Sequence, residues 1–148
     1  MSKEPSSIKN EFNGPQMQNS EFSRADMSNA NFNGVQLSGA KFWAVLENAS
    51  FTESNLEAVK FDDVNLANAS FNNINLGKAS FHNINMSGAG FSEMNLSDAG
   101  FNGVDISDTV FDNVNMTGVT ISNANLDGMT IDGVLVSDLF DVYRKAKK

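Results

Sequence analysis

The sequence predicts an all-β fold, a solenoid of very short strands wound around a filled apolar core and closed by a short C-terminal helix. Three observations carry this prediction. Apolar residues return at every fifth position through most of the 148-residue chain, the two residues after each are turn formers, and the period stops after Val136, where helical spacing begins.

The repeat is counted from its central apolar residues. These run from Phe12, Met17 and Phe22 to Phe42, resume at Leu46, Phe51 and Leu56, and continue to Ile131 and Val136. The spacing is five except for one step of four, between Phe42 and Leu46. A period of five matches neither the 3.6 of a helix nor the 2 of an ordinary strand, so it marks a repeat architecture. Eleven of the twelve Phe and six of the seven Met fall on inward positions, so the period governs core placement.

Two residues before each centre stands a second apolar or small residue, such as Ala69, Ile74, Ala79 and Ile84. The pair flanks one outward residue, which is a minimal strand with two side chains on one face. After each centre come residues such as Asn72-Asn73, Ser87-Gly88 and Asp112-Asn113. These tolerate positive φ or bond their own backbone, so each unit ends in a tight turn. Repeated strands and corners make a coil.

In overlapping frames the chain reads ANASF, NINLG, NINMS, SDAGF and NANLD. It therefore resembles the pentapeptide-repeat family, whose motif is A-(D/N)-L-x-x, over about residues 10 to 136. The resemblance implies a right-handed quadrilateral β-helix with four units, or twenty residues, per coil. The expected organisation is a flexible N-terminus at 1–9, the β-helix at 10–136, and a capping helix with a basic tail at 137–148.

Stacking at twenty residues predicts the core. Phe51, Phe71, Phe91 and Phe111 form one column and Phe61, Phe81 and Phe101 the opposite one. Ala usually precedes Phe, whereas Val, Ile or Met usually precedes Leu or Met, so each side keeps nearly constant volume, as close packing demands. Burial of a Leu or Phe contributes roughly 1.5–3 kcal/mol, while ordering one residue's backbone costs roughly 1–2 kcal/mol. A lone unit cannot fold; stacked coils can. The outward residues Asn55, Asn75, Asn95 and Asn115, and on another face Asn65, Asn85, Asp105 and Asn125, should form side-chain ladders.

The ends need blocking, because open strand edges invite pairing. Pro15 suits the first coil, where a missing N–H facing the open side costs least. Beyond Val136, Ser137 or Asp138 is a good N-cap, Leu139, Phe140 and Tyr143 share one side, and Arg144, Lys145, Lys147 and Lys148 suit a helix C-terminus. This segment is expected to cap the last coil, with a homodimer through the same surface as the alternative. The dimer alternative comes from the resemblance, since gyrase-directed members of the family dimerise through their C-terminal ends.

The formal charge is −8, and residues 1 to 143 hold 18 acids against 6 bases. Such a body repels nucleic acid and attracts basic surfaces. There are no cysteines, which removes disulfides, thiolate metal sites and a cysteine nucleophile. No apolar run follows a basic start and no stretch approaches a membrane span, so a soluble cytoplasmic protein without a membrane partner is expected.

The four-residue step, FWAVL at 42–46, removes a turn residue and sets the sole Trp at a corner. Stacking then brings Trp43 near Asp62 and His82, and Lys41 near Lys60. These five residues are the candidate partner-binding spot. No catalytic, cofactor-binding or metal-ligating constellation accompanies it: His82 is the only histidine, and the acidic pair Asp62-Asp63 sits on a convex surface without a cleft.

The expected function is a non-enzymatic interaction or scaffold module with an unidentified protein partner. The resemblance implies an alternative, a DNA mimic that binds DNA gyrase or topoisomerase IV and modulates it or protects it from quinolones. A rod of about 31 Å, at ~4.8 Å per coil, replaces duplex carrying about 18 charges at one per ~1.7 Å. The −12 of residues 1–143 has the right sign and about two thirds of that density.

Overall fold

The computed structural model describes residues 11–13 and 16–148. The expectations for the N-terminal segment 1–9 and for Pro15 lie outside the described residues. The chain forms a right-handed quadrilateral β-helix followed by one helix. Its strands are β1 (Glu11–Asn13), β2 (Glu21–Asp26), β3 (Asn31–Asn33), β4 (Lys41–Val45), β5 (Ser50–Thr52), β6 (Lys60–Asp62) and β7 (Ser70–Asn72). They continue as β8 (Ser80–His82), β9 (Gly90–Asn95), β10 (Gly100–Asn102), β11 (Val110–Asn115), β12 (Thr120–Ser122), β13 (Thr130–Ile131) and β14 (Val134–Leu135), before α1 (Val136–Ala146).

Two sides of the coil are sheets and two are single-residue bridges. The odd strands stack in parallel on the first side in the order β1-β3-β5-β7-β9-β11-β13, and the even strands β2 to β12 stack on the third. On the second side, Gln16, Gln36, Asn55, Asn75 and Asn95 bridge in succession, and on the fourth Val45, Asn65, Asn85, Asp105 and Asn125 do so. Successive coils are joined by backbone bonds such as Leu56 N–H to the Asn75 carbonyl, 2.8 Å, and Ala58 N–H to the Gly77 carbonyl, 2.9 Å.

The corners explain the fifth-residue period. From Asn19 to Gly128 the second residue after each centre has positive φ, with a single interruption between Gly39 and Asn48. Asn, Asp and Gly accept this conformation at small cost. Arg24, Glu53, Ala58, Lys78 and Glu93 do not, yet adopt φ of 48–60° because the stacked coils fix the chain on both sides of them.

The Phe columns form as expected. Phe32, Phe51, Phe71, Phe91 and Phe111 stack on one side, and Phe22, Phe42, Phe61, Phe81 and Phe101 on the other, with centroids 4.5–5.1 Å apart. That spacing is the ~4.8 Å between neighbouring strands, so each ring follows its own backbone. The two columns meet edge-on across the axis, at 6.1–6.4 Å for Phe32–Phe42, Phe42–Phe51, Phe51–Phe61 and Phe101–Phe111. Two polar residues replace apolar ones beside this core. Ser54 accepts the Val35 N–H and donates to the Thr52 carbonyl, and Thr109 donates to the Met86 carbonyl.

The asparagine ladder is complete on the second side. Asn75 donates to Asn55 (3.3 Å), Asn95 to Asn75 (3.1 Å) and Asn115 to Asn95 (3.2 Å), and each Oδ1 also accepts the N–H two residues on. The fourth side corrects the expectation of a second ladder: among the described residues its only rung is Asn125 to Asp105, 3.3 Å. The Asp105 side chain has no N–H to pass on to Asn85, and the column holds its corners through local bonds such as Ser87 N–H to Asn85.

Two further features differ from the sequence reading. The step of four does not place Trp43 on a turn. It removes the positive-φ residue, and Lys41–Val45 runs as one strand of alternating exposure with Phe42, Ala44 and then Leu46 inward. At the far end the five-residue spacing persists to Val136, but the backbone leaves the coil after Ile131. Asp132 (φ 47°) and Gly133 (φ 79°) form a two-residue turn that folds β14 antiparallel onto β13. Both central residues with positive φ, and the Asp-Gly pair itself, are the mark of a hairpin turn. Val136 folds back with its N–H on the Met129 carbonyl, 3.1 Å, and is the buried residue of α1.

The cap is incomplete. β14 closes the edge of the first-side sheet, while β12 remains the last strand of the third. The last-coil residues Met116, Ile121, Leu126 and Ile131 are only half-buried. Leu139, Phe140 and Tyr143 of α1 stay exposed instead of packing over them.

Candidate interaction surface

The register break builds the most irregular place on the rod. β2 pairs with β4 through Phe22–Phe42 and Ser23–Trp43, then shifts, so that Ala25 pairs with Ala44. Arg24 is the unmatched residue. It bulges out with φ 54°, opposite the residue β4 lacks, and its guanidinium lies 5.0 Å above the Trp43 ring centroid. A bulge of this kind re-aims a side chain, and a cation over an indole face is an attractive contact. Arg24 is the functional candidate that the sequence reading missed. Laying FWAVL against the preceding coil, FSRADM, would have exposed it as the extra residue.

Lys41 and Lys60 are direct register neighbours on β4 and β6. Trp43, 46% exposed, stands two residues from Lys41 on the same outward face. A surface groove runs between β2, β4 and β6 with Glu21, Lys41, Trp43, Lys60, Asp62 and Asp63 along it. The predicted grouping thus forms for four of its five residues. His82 lies one coil further on, where its Nδ1 meets Asp62 Oδ1 at 2.8 Å and both side chains are largely exposed. Asp63 accepts from the Asn83 amide. Both carboxylates are thus bonded to residues of the next coil, and among the described residues neither pairs with Lys41 or Lys60.

Charge is divided by side. Between residues 16 and 135, the first-side units carry Glu53, Glu93, Asp112 and Asp132, and the fourth-side units Asp26, Glu47, Asp105, Asp108 and Asp127, with no base among them. The second and third sides hold Arg24, Lys41, Lys60 and Lys78 against five acids, Glu21, Glu57, Asp62, Asp63 and Asp98. One of the acids, Asp26, has its carboxyl held below the ordinary range by hydrogen bonds from the Ser28 hydroxyl and then from its N–H.

The second apolar surface is at the C-terminal end. Leu135, Leu139, Phe140, Val142 and Tyr143 are exposed, beside Arg144, Lys145, Lys147 and Lys148. Arg144 lies over Phe140 and Lys147 over Tyr143, at 5.7 and 5.3 Å. Among the described residues no group of three or more His, Asp or Glu side chains could hold a metal ion, and no helix is long and apolar enough to cross a membrane.

With this geometry in place, comparison with known proteins identifies the class. The family model "Pentapeptide repeat region" matches residues 11–91, and "Pentapeptide repeats (8 copies)" matches residues 95–134. The chain belongs to the pentapeptide-repeat family, whose members are generally structural or interaction modules. Among solved structures it is similar to a pentapeptide repeat protein from the Arabidopsis thaliana thylakoid lumen, at 25% identity over 67% of each chain and a TM-score of 0.53. It is also similar to HetL from the cyanobacterium Nostoc, a protein involved in heterocyst differentiation regulation, at 15% identity over 85% of this chain and 93% of that one, TM-score 0.31. A third similar structure is QnrB1, a plasmid-mediated fluoroquinolone resistance protein, at 18% identity over 93% of this chain and 92% of that one, TM-score 0.31. No curated protein sequence matches the chain.

Proposed function

We propose that this chain is a non-catalytic interaction or scaffold module of the cytoplasm, a rigid rod that meets a protein partner through the register break. The observation that carries this reading is the unmatched Arg24 lying over an exposed Trp43 beside Lys41 and Lys60, at the one place between Asn19 and Gly128 where the positive-φ corners are interrupted. Trp and Arg are the residue types that concentrate binding energy in protein interfaces. An enzymatic role has little to draw on, since the sole histidine is exposed and tied to Asp62, and the core is filled. The test is Trp43→Ala, with stability and partner capture measured together. Unchanged thermal stability with lost capture supports the reading; retained capture overturns it.

A second reading, mimicry of duplex DNA toward gyrase or topoisomerase IV, is favoured by the nine acids without a base on the first- and fourth-side units. A supercoiling assay with and without a fluoroquinolone tests it. The absence of both inhibition and protection at micromolar protein removes it. In either reading direct nucleic-acid or membrane binding is not expected, because the acidic body repels both kinds of anionic surface. The exposed Leu139, Phe140 and Tyr143 suit a homodimer through the C-terminal end. Sedimentation of the intact chain and of one ending at Ser137 distinguishes the cases: a dimer lost on truncation supports dimerisation, and a monomer in both removes it.

A further inference from the structure

The proposed interaction surface has a definite chemical preference, and the inference rests on that reading. Lys41 and Lys60 stand side by side in adjacent strands, and like charges in register repel. Among the described residues neither has a carboxylate within ion-pair distance; the pairs formed are Lys78–Glu57, His82–Asp62 and Arg144–Asp141. Asp62 and Asp63, the acids that stacking brings to the same groove, are bonded to His82 and Asn83 instead. Glu21, the register neighbour of Lys41, does not reach it as an ion pair either.

The aromatic half of the groove is equally unpartnered on one face. Trp43 is 46% exposed with Arg24 on one side of its ring, and it projects from the same strand face as Lys41, two residues away. An extended ligand with an anionic group and an apolar group at that same two-residue spacing would satisfy both.

We propose that the groove between β2, β4 and β6 docks an extended acidic peptide segment, a carboxylate bridging Lys41 and Lys60 while an apolar side chain lies on Trp43. A peptide is favoured over a polyanion such as nucleic acid because the cationic strip spans only β2 to β6. A uniformly anionic chain laid along the groove would also meet Glu21, Asp62 and Asp63, which line it, and is repelled there.

Trp43 is the sole tryptophan, so its emission reads this site directly. The full chain is titrated at low salt with a short synthetic peptide repeating Glu-Ser-Leu-Ser, which puts Glu and Leu two residues apart on one face (the Glu-Leu peptide), with the counterpart in which Lys replaces Glu (the Lys-Leu peptide), and with a short oligothymidylate. The expected result is a saturable blue shift with the Glu-Leu peptide alone, weakened by added salt. Lys41→Ala and Lys60→Ala should each weaken it about tenfold, the scale of one charge-assisted contact. A saturable shift with the Lys-Leu peptide instead overturns the acidic preference while leaving an interaction surface in place. A shift with oligothymidylate and not with the peptide overturns it in favour of nucleic acid. No shift with any ligand overturns this inference, while the register break as an interaction surface stands or falls by the Trp43→Ala capture test. A shift unchanged in both lysine variants also refutes the proposed contact.

Discussion

Replacing Ala58 by glycine should stabilise this protein, the reverse of the usual effect. Ala58 has φ 58°, is exposed, and lies at a corner whose backbone N–H is held by the Gly77 carbonyl. An L-residue in the left-handed region costs roughly 1–2 kcal/mol, which glycine does not incur. Glycine in turn loses more chain entropy on folding, roughly 0.5–1 kcal/mol. The difference leaves about 0.5–1 kcal/mol in favour of the variant, a rise in Tm of roughly 2–4 °C per kcal/mol for a chain of this size. Ala67→Gly is the matched control. Ala67 is 8% exposed and is not among the positive-φ residues. It loses a buried methyl, about 0.8 kcal/mol, and takes on the entropy cost, so it should be destabilised by about 1–2 kcal/mol. Urea unfolding of the three chains, compared at equal m values, reads both signs. If Ala58→Gly lowers the midpoint as Ala67→Gly does, the corners are not where the strain resides and the account of the period fails.

Phe81→Ala should cost about 3–5 kcal/mol, since its ring stacks on Phe61 at 5.1 Å and Phe101 at 4.5 Å and both lose a neighbour; chemical denaturation measures it. Asn75→Ala should cost about 1–3 kcal/mol and Asn85→Ala only about 0.5–1.5 kcal/mol, because Asn75 both donates and accepts along its ladder whereas Asn85 holds one local N–H; equal losses would show that the ladder adds nothing. Asp26, with its carboxyl depressed by Ser28, stabilises the folded state above the ordinary carboxyl value of about 3.9 and loses that contribution as pH falls through its lower folded value. An NMR titration should show the Asp26 midpoint rising toward the ordinary value in Ser28→Ala.

Much of the fold was legible in the residues because one short rule repeats. A five-residue unit with two inward side chains and a turn fixes which residues meet twenty positions away, so the Phe columns and the second-side ladder follow from the sequence alone. The failures fall where a second signal competes with the period. Ile131 and Val136 keep the spacing of five, but Asp132-Gly133 between them is a hairpin signal of comparable strength, and the hairpin prevails at an end where no further coil is present to hold the corner. On the fourth side, Asp105 keeps the position of a ladder residue without the amide N–H that a ladder needs. The groove was half legible: register gave Lys41 with Lys60, but the place of Arg24 depends on how two coils of unequal length accommodate each other.

The division of charge bears on how the two functional readings relate. A duplex presents phosphate on all sides, about one charge per ~1.7 Å, whereas this rod concentrates nine acids on two neighbouring sides and places Arg24, Lys41 and Lys60 on the third. A protein that encircles DNA would meet those cations and Trp43 on the opposite side. One that cradles DNA along a single side would meet only acids. The mimicry reading therefore requires a one-sided contact, which would leave the register break free. The two surfaces can be altered independently: removing Lys41 and Lys60 should leave a one-sided mimic intact or strengthen it, while neutralising Asp105, Asp108 and Asp127 should weaken mimicry and leave the emission of Trp43 unchanged.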